Sequence, residues 1–128
     1  MVNGDYLVSF LRFDHVSMVV ANTERALQFY HDVMGLKVAT DRPDLAFSGA
    51  WLIVGEGQQI HLLEVPNPDS LDRPEHGGRD RHAAFRVSDL DEICQRLKAA
   101  NIMYTMSKSG RKALFCRDFD GNTLELIE

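Results

Sequence analysis

The stretch that decides the fold, Asp14-His15-Val16-Ser17-Met18-Val19-Val20, has a counterpart in Arg81-His82-Ala83-Ala84-Phe85-Arg86-Val87. Each copy reads as a strand followed by a helix. Each half then closes on a short apolar strand that carries charge, Ile60-His61-Leu62-Leu63-Glu64 in the first and Leu124-Glu125-Leu126-Ile127-Glu128 in the second. Such internal similarity indicates a duplicated unit. When the halves are aligned, His15 falls on His82, His61 on Glu125 and Glu64 on Glu128.

The length fits one domain built from two such units. The chain has 128 residues, of which 45% are hydrophobic, so it can bury a sizeable core. The repeat predicts a module over 12–65, a linker over 66–80 and a second module over 81–128. A module of roughly 60 residues is marginally stable alone, so we expect the two to share a sheet or to dimerise.

Charge and composition exclude several classes of partner. The formal net charge is -5 and no long basic run is present, which argues against a nucleic-acid partner. Residues 1–11 lack the pattern of a signal peptide, and no segment is apolar over the length of a membrane span. Cys94 and Cys116 are expected to be free thiols in a reducing compartment. We therefore expect a cytoplasmic protein that does not interact with membranes.

Periodicity predicts the element order β-α-β-β-β in each half. Asn22 or Thr23 is expected to begin the first helix and Gly35 to end it, whereas Ser88 is expected to cap the second. Strands are expected at 15–20, 36–40, 51–54, 59–65, 81–87, 102–106, 113–117 and 123–128. The predicted fold class is α+β: two tandem βαβββ modules that form a curved mixed sheet with a concave cavity, with helices on the outer face.

Alternation along the strands predicts which side chains face the cavity. Ile60, Leu62, Leu124 and Leu126 are expected beneath the helices, which sends His61 and Glu125 to the opposite face. His15 is expected to face His61, and His82 follows from the repeat. Glu64 has the wrong parity for this face. His61 is therefore favoured over Glu64 as a fourth ligand, although the sequence leaves the choice between them open.

Three histidines and a carboxylate at repeat-equivalent positions indicate a metal site. The predicted ligands are His15, His61, His82 and Glu125, and this donor set suits Zn²⁺, Ni²⁺, Fe²⁺ or Mn²⁺. Glu125 could also act as a general base. His31 and His76 have no repeat partner and are expected to be solvated bystanders.

Two arginines are candidate substrate-binding residues. Arg86 shares a face with His82 and could hold a carboxylate. Arg111 lies in a basic loop with Lys108 and Lys112, which is either an anchor for an anionic substrate or simply solvated. The core is the expected location of Trp51, Phe47 and Tyr104, with the alternative that one of them lines the substrate pocket.

The chain resembles the vicinal oxygen chelate superfamily. This superfamily includes glyoxalase I, fosfomycin-resistance thiol transferases, bleomycin-resistance proteins, extradiol dioxygenases and methylmalonyl-CoA epimerase. The resemblance covers residues 12–128. It rests on Asp14-His15-Val16, Glu24-Arg25-Ala26-Leu27-Gln28-Phe29-Tyr30 with Val33-Met34-Gly35-Leu36, Arg81-His82-Ala83, and Asp118-Phe119-Asp120-Gly121-Asn122-Thr123-Leu124-Glu125.

The resemblance implies a site shared between two chains. It carries the family's metal positions onto His15, His61, His82 and Glu125, and it implies a homodimer in which His15 and His61 of one subunit meet His82 and Glu125 of the other. His61 departs from glyoxalase I, which usually has Glu or Gln there. A fourth ligand also departs from the fosfomycin-resistance enzymes, which use three.

Two functions of different class follow. The first is a metal-dependent enzyme in which two neighbouring oxygens of a small substrate chelate the metal. A lyase or isomerase is favoured, and a dioxygenase or thiol transferase remains possible. The second is a metal-free protein of the bleomycin-resistance kind that sequesters a small molecule. A family member whose site survives without turnover is a weaker third alternative.

Overall fold

Each half of the chain folds into one helical segment and four strands. The computed structural model describes residues 8–128, so the expectation for the N-terminal segment falls largely outside the described residues. The elements are β1 (His15–Val20), α1 (Thr23–Leu27, continuing as a π-helical segment Gln28–Val33), β2 (Lys37–Val38), β3 (Gly49–Val54), β4 (Gln58–Glu64), β5 (His82–Arg86), α2 (Leu90–Ala99), β6 (Tyr104–Met106), β7 (Ala113–Arg117) and β8 (Thr123–Ile127). A short 3₁₀ turn, Gly77–Arg79, precedes β5.

The two modules form two four-stranded mixed sheets of the same topology. Their strand orders are β1-β4-β3-β2 and β5-β8-β7-β6. In each sheet the first strand runs parallel to the last, and the last pairs antiparallel with the strand before it. The predicted α+β fold of two βαβββ modules is therefore confirmed.

Alternation along the strands places the core on the helix side. Met18, Ile60 and Leu62 are buried, as are Phe29 and Tyr30 from the first helical segment. Leu124 and Leu126 occupy the equivalent positions of β8. The predicted burial of Ile60, Leu62, Leu124 and Leu126 beneath the helices is thus confirmed.

The predicted element bounds were less accurate than the element types. The strand expected over 36–40 covers only Lys37–Val38, and the one expected over 102–106 begins at Tyr104. The first helix begins after Asn22 as expected, but its second half has π-helical geometry. The cap of α2 is Asp89, not Ser88. Within residues 8–128, no helix has the length and apolarity needed to cross a membrane.

Glu64 and Glu128 hold the first turn of the helix in their own module. Glu64 Oε1 accepts hydrogen bonds from the Thr23 amide at 2.7 Å and from the Thr23 hydroxyl at 3.1 Å. Glu128 Oε1 accepts from the Leu90 amide at 2.8 Å. The first amides of a helix lack partners within the helix, so each glutamate satisfies one of them. The two glutamates, which occupy equivalent positions in the repeat, therefore stabilise the start of a helix on the helix side of each sheet.

The β7–β8 turn of the second module binds the first module. Tyr30 Oη donates to Asp118 Oδ2 at 2.7 Å, and Asn122 Nδ2 donates to the Val19 carbonyl at 2.9 Å. The Ala21 amide donates to Asp120 Oδ1 at 3.0 Å. Burial, together with the Asp118 carboxylate, raises the pKa of Tyr30 well above its usual value, so its hydroxyl remains a donor. These bonds fix the two modules relative to each other.

The linker is tied to the second module by an ion-pair cluster. Asp80 accepts two hydrogen bonds from Arg73, at 2.8 and 2.9 Å, and one from Arg117 at 2.7 Å. The hydrogen bonds from Arg73 and Arg117 hold the pKa of Asp80 far below its usual range. The predicted linker is therefore an ordered segment that packs against β7 and β8.

The Tyr30 hydroxyl should contribute measurably to stability. In Tyr30→Phe, the buried Asp118 carboxylate loses a donor, so the free energy of unfolding should fall by about 1–3 kcal/mol. Urea denaturation measures this. Tyr104→Phe is the matched control because the Tyr104 hydroxyl makes no hydrogen bond within residues 8–128, and it should change stability little. Equal stability of Tyr30→Phe and the unaltered protein would contradict the assigned role.

Candidate functional site

The first module presents a stack of three aromatic rings. The imidazoles of His15 and His61 lie with centroids 3.9 Å apart and planes 14° from parallel. The Trp51 indole covers the other face of His61 at 4.2 Å and 5°. Trp51 pairs directly with His61 across β3 and β4, so both side chains point to the same face of the sheet. The structure thus places His15 beside His61, as the alternation predicted.

Hydrogen bonds fix the ring nitrogens of this pair. His15 Nδ1 lies 2.8 Å from Asp14 Oδ2, and His61 Nε2 lies 2.8 Å from Gln59 Oε1. Since both partners are acceptors, the neutral imidazoles carry their protons there, which leaves His15 Nε2 and His61 Nδ1 with free lone pairs. Burial and the neighbouring His15 lower the pKa of His61, which favours the neutral, ligand-competent form.

The second module presents His82 beside Glu125. His82 Nε2 lies 3.2 Å from Glu125 Oε1, and His82 Nδ1 lies 2.8 Å from the main-chain oxygen of Asp80. The Arg111 guanidinium donates to Glu125 Oε2 at 3.0 Å. Glu125 is only 5% exposed, so the carboxylate is held between two nitrogen-bearing side chains in a largely dry environment.

The nitrogen–oxygen contact in this pair calls for a cation. A carbonyl oxygen only accepts, so His82 Nδ1 carries the proton, and Nε2 of the neutral ring presents a lone pair to Glu125 Oε1. Two lone pairs facing each other repel. A proton or a metal ion between them removes the repulsion, and a main-chain carbonyl that accepts from Nδ1 is the arrangement that metal-ligating histidines commonly use.

The four predicted ligands form two pairs. In each module the first-strand histidine pairs with a residue two positions before the last-strand ligand, because His15 pairs with Gln59 and His82 with Thr123. His15 and His82 also line one cavity of about 270 Å³ between the starts of β1 and β5. Within residues 8–128 of one chain, no three His, Cys, Asp or Glu side chains cluster closely enough to hold a metal.

The two candidate substrate-binding arginines occupy different places. Arg111 lines a cavity of about 390 Å³ together with His82, Glu125 and Lys108. Arg86 lies at the end of β5, exposed on the same face as His82, and its guanidinium is 3.4 Å from the Glu128 main-chain oxygen. Arg111 is thus in direct contact with a predicted ligand, whereas Arg86 is four residues along the strand from His82.

Comparison of the sequence with models of known protein families gives one match over most of the chain. The model of the Glyoxalase/Bleomycin resistance protein/Dioxygenase superfamily matches residues 12–126. The chain belongs to this superfamily.

Similar proteins cover nearly the whole chain. Lactoylglutathione lyase of Haemophilus influenzae is 27% identical over 121 residues, which is 89% of this chain and 90% of that protein. Lactoylglutathione lyase of Neisseria meningitidis serogroup A is 30% identical over 125 residues, 92% and 91% of the two chains.

Two solved structures show proteins that share this fold. A glyoxylase/bleomycin resistance protein/dioxygenase domain from Frankia sp. EAN1pec has a TM-score of 0.72 at 25% identity, covering 93% of this chain and 92% of the other. TnmS3, an antibiotic binding protein from Streptomyces sp. CB03234, has a TM-score of 0.69 at 18% identity, covering 94% and 97%.

Two side chains near the predicted ligands lie in environments that differ from those expected from the sequence. Trp51 was expected in the core, but its ring stacks on His61. His76 was expected to be solvated, but its ring packs edge-on against Phe115 at 5.2 Å, and its Nε2 is buried. The parity of Trp51 with His61 across a hairpin could have revealed the first error. His31 is exposed, as expected.

The choice between His61 and Glu64 leads to a paired prediction. Glu64→Ala should lower the free energy of unfolding by about 1 kcal/mol, because a helix-start amide loses its acceptor, and should leave ligand binding unchanged. His61→Ala should instead alter Trp51 fluorescence and weaken binding of a divalent metal. Denaturation and metal titration measure the two effects, and Glu128→Ala is the matched capping control. The reverse ranking would show that Glu64, not His61, belongs to the site.

Proposed function

We propose that this chain is a metal-dependent lyase or isomerase of its superfamily, acting on a small oxygenated molecule. The observation that carries the proposal is the pair His82–Glu125, in which a ring nitrogen and a carboxylate oxygen lie 3.2 Å apart, a contact that a proton or a metal ion between them stabilises. His15, with its Nδ1 held by Asp14, offers a second oriented nitrogen. The relatives named lactoylglutathione lyase support this reaction class.

The donor set fits a divalent first-row metal. His15, His61, His82 and Glu125 would hold the ion, with Asp14 and the Asp80 carbonyl orienting two of the imidazoles. His61 would offer Nδ1 to the ion, because its Nε2 donates to Gln59 Oε1. When bound, such an ion polarises two neighbouring oxygens of a substrate and stabilises negative charge that develops on them. Zn²⁺, Ni²⁺, Fe²⁺ and Mn²⁺ all suit these ligands.

The protein's own groups supply proton transfer and orientation. Glu125 is the proposed general base, because its buried carboxylate borders the cavity and could accept a proton on Oε1 when that oxygen does not hold the ion. Arg111 holds Oε2 and so fixes the direction of the carboxylate. Arg111 and Arg86 are the proposed contacts for an anionic part of the substrate. Because the relatives are named lactoylglutathione lyase, cleavage or formation of lactoylglutathione is the specific reaction to test.

The proposed working unit is a homodimer. The described part of one chain brings the ligands together only as two pairs, so a complete set of four needs the pairs to meet, and a symmetric dimer completes two such sites at once. The segment before β1 is apolar and exposed at Phe10, Leu11 and Phe13, which is surface that a second chain could cover. The cellular location proposed for this dimer is the cytoplasm.

A metal-free binding protein is the second candidate. The cavity between β1 and β5 is lined mainly by apolar side chains, including Phe13, Val54 and Phe85, which suits capture of an apolar molecule. TnmS3, which shares the fold, is an antibiotic binding protein. Tight binding of an apolar ligand by protein that carries no metal and shows no turnover would favour this candidate.

Metal binding should be stoichiometric and should depend on the second pair. Elemental analysis should give one divalent ion per chain, and a chelator should abolish activity. His82→Ala and Glu125→Ala should each weaken affinity by about 100-fold or more, since loss of even an outer-shell partner costs 10–100-fold. Trp51, the one tryptophan, reports binding through its stack on His61. His31→Ala is the control. Unchanged affinity in a folded Glu125→Ala protein would refute the site.

A shared site predicts recovery of activity on mixing. His15→Ala and Glu125→Ala proteins should each be inactive alone, because every site in either homodimer lacks one ligand. A mixed dimer contains one site with both residues intact and one with neither, so roughly half of the dimers formed by random exchange should carry one working site. The check is activity after subunit exchange. A monomer in sedimentation, fully loaded with metal, would contradict the shared site.

A further inference from the structure

The end of the linker is held in place by several hydrogen bonds to Asp80. Asp80 receives a bidentate contact from Arg73 and a third hydrogen bond from Arg117 on β7, and its side chain is only 10% exposed. The Arg81 amide also donates to Asp80 Oδ1 at 2.9 Å. Four N–H donors, together with the Thr123 hydroxyl at 3.4 Å, thus converge on one carboxylate, which leaves the Asp80 peptide little freedom to move.

The same residue also contacts the site through its main chain. The Asp80 carbonyl oxygen lies 2.8 Å from His82 Nδ1, and the other ring nitrogen of His82 faces Glu125 at 3.2 Å. His82 pairs in the sheet with Thr123, whose hydroxyl also bonds to Arg117. The ion-pair cluster and the imidazole are therefore linked through a single peptide unit.

We propose that Asp80 is a positioning residue for His82. Its clamped carboxylate immobilises the carbonyl that keeps the proton on His82 Nδ1, and this directs the Nε2 lone pair toward Glu125. The inference rests on the proposed function only in treating His82 and Glu125 as site residues. Without the clamp, the carbonyl is free to turn away and the imidazole can adopt either tautomer, which lowers the fraction ready to bind a cation.

A second contact keeps the linker against the sheet independently of the ion pairs. At Gly77, an added Cβ would lie 2.6 Å from Thr123 Cγ2 and 3.1 Å from Phe115 Cβ, so only glycine fits without displacement. Gly77→Ala should push the linker outward and disturb the Asp80 carbonyl while leaving every charge in place. Gly77→Ala thus tests displacement of the Asp80 carbonyl without removing any charged side chain.

The test compares tautomers in metal-free protein. With ¹⁵N-labelled histidine at about pH 8, where imidazole is neutral, long-range ¹H–¹⁵N spectra distinguish Nδ1–H from Nε2–H rings. His82→Gln assigns the signal. Unaltered protein should show His82 protonated on Nδ1, and Asp80→Ala should lose that single-tautomer pattern. Zn²⁺ affinity should fall by about 10–100-fold in Asp80→Ala, and less in Asp80→Asn, which keeps one acceptor.

Asp69→Ala is the matched control. Asp69 pairs with Arg81 and lies 3.9 Å from Arg73, but its main chain makes no hydrogen bond with His82 in the described structure. It should leave the tautomer and the affinity unchanged. If Asp80→Ala does not fold, the His82 tautomer and the Zn²⁺ affinity are compared in Asp80→Asn and Gly77→Ala instead.

Several results would overturn the proposal. These are an Nε2–H ring in the unaltered protein, an unchanged tautomer in folded Asp80→Ala, or an equal loss in Asp69→Ala. If the unaltered protein binds no Zn²⁺, the proposed metal function fails, yet the tautomer comparison still decides the role of Asp80.

Discussion

The parallel pairing of first and last strands within each module is the constraint on which the site depends. It brings residues from the two ends of a module side by side: β1 beside β4, and β5 beside β8. Because side chains alternate between faces, a shift of one residue would move His61 to the helix side and Glu64 to the cavity side. The buried Ile60 and Leu62 and the helix-start contact of Glu64 oppose that shift together. Core packing and site geometry are thus determined by the same hydrogen-bonded pairing.

Hydrogen-bond partners outside the two pairs determine which nitrogen each imidazole presents. His15 is held by a carboxylate, His61 by a side-chain amide and His82 by a main-chain carbonyl. A carboxylate partner increases the basicity of an imidazole more than a neutral carbonyl does, so the three rings differ as donors although two of them occupy equivalent positions. His15 and His82 thus occupy equivalent positions in the two modules, whereas their hydrogen-bond partners differ.

The repeat and the period of two made much of this arrangement predictable from the sequence. Alternation correctly separated His61 from Glu64 because the adjacent Ile60 and Leu62 have to be buried. The Asp80 cluster was not predictable, since Arg73 and Arg117 meet it only after β7 and the linker are folded. Trp51 was misassigned because hydrophobicity alone does not tell a core ring from a ring on the cavity face. The π-helical turns at Gln28–Val33 carry no periodicity signal that distinguishes them from an α-helix.

Divergence at the second ligand position has an electrostatic consequence. The first module has His61 where the second has Glu125, so the combined set contains three imidazoles and one carboxylate. The lowered pKa of His61 favours its neutral form, and a divalent ion in this set would keep a net positive charge. A set with a second carboxylate at position 61 would cancel that charge. The charge that remains is available to stabilise negative charge developing on a substrate's oxygens, and the low exposure of Glu125 limits screening by water. Compared with a glutamate at this position, His61 therefore favours a stronger electrophile at the proposed site, whereas a glutamine would leave the same net charge.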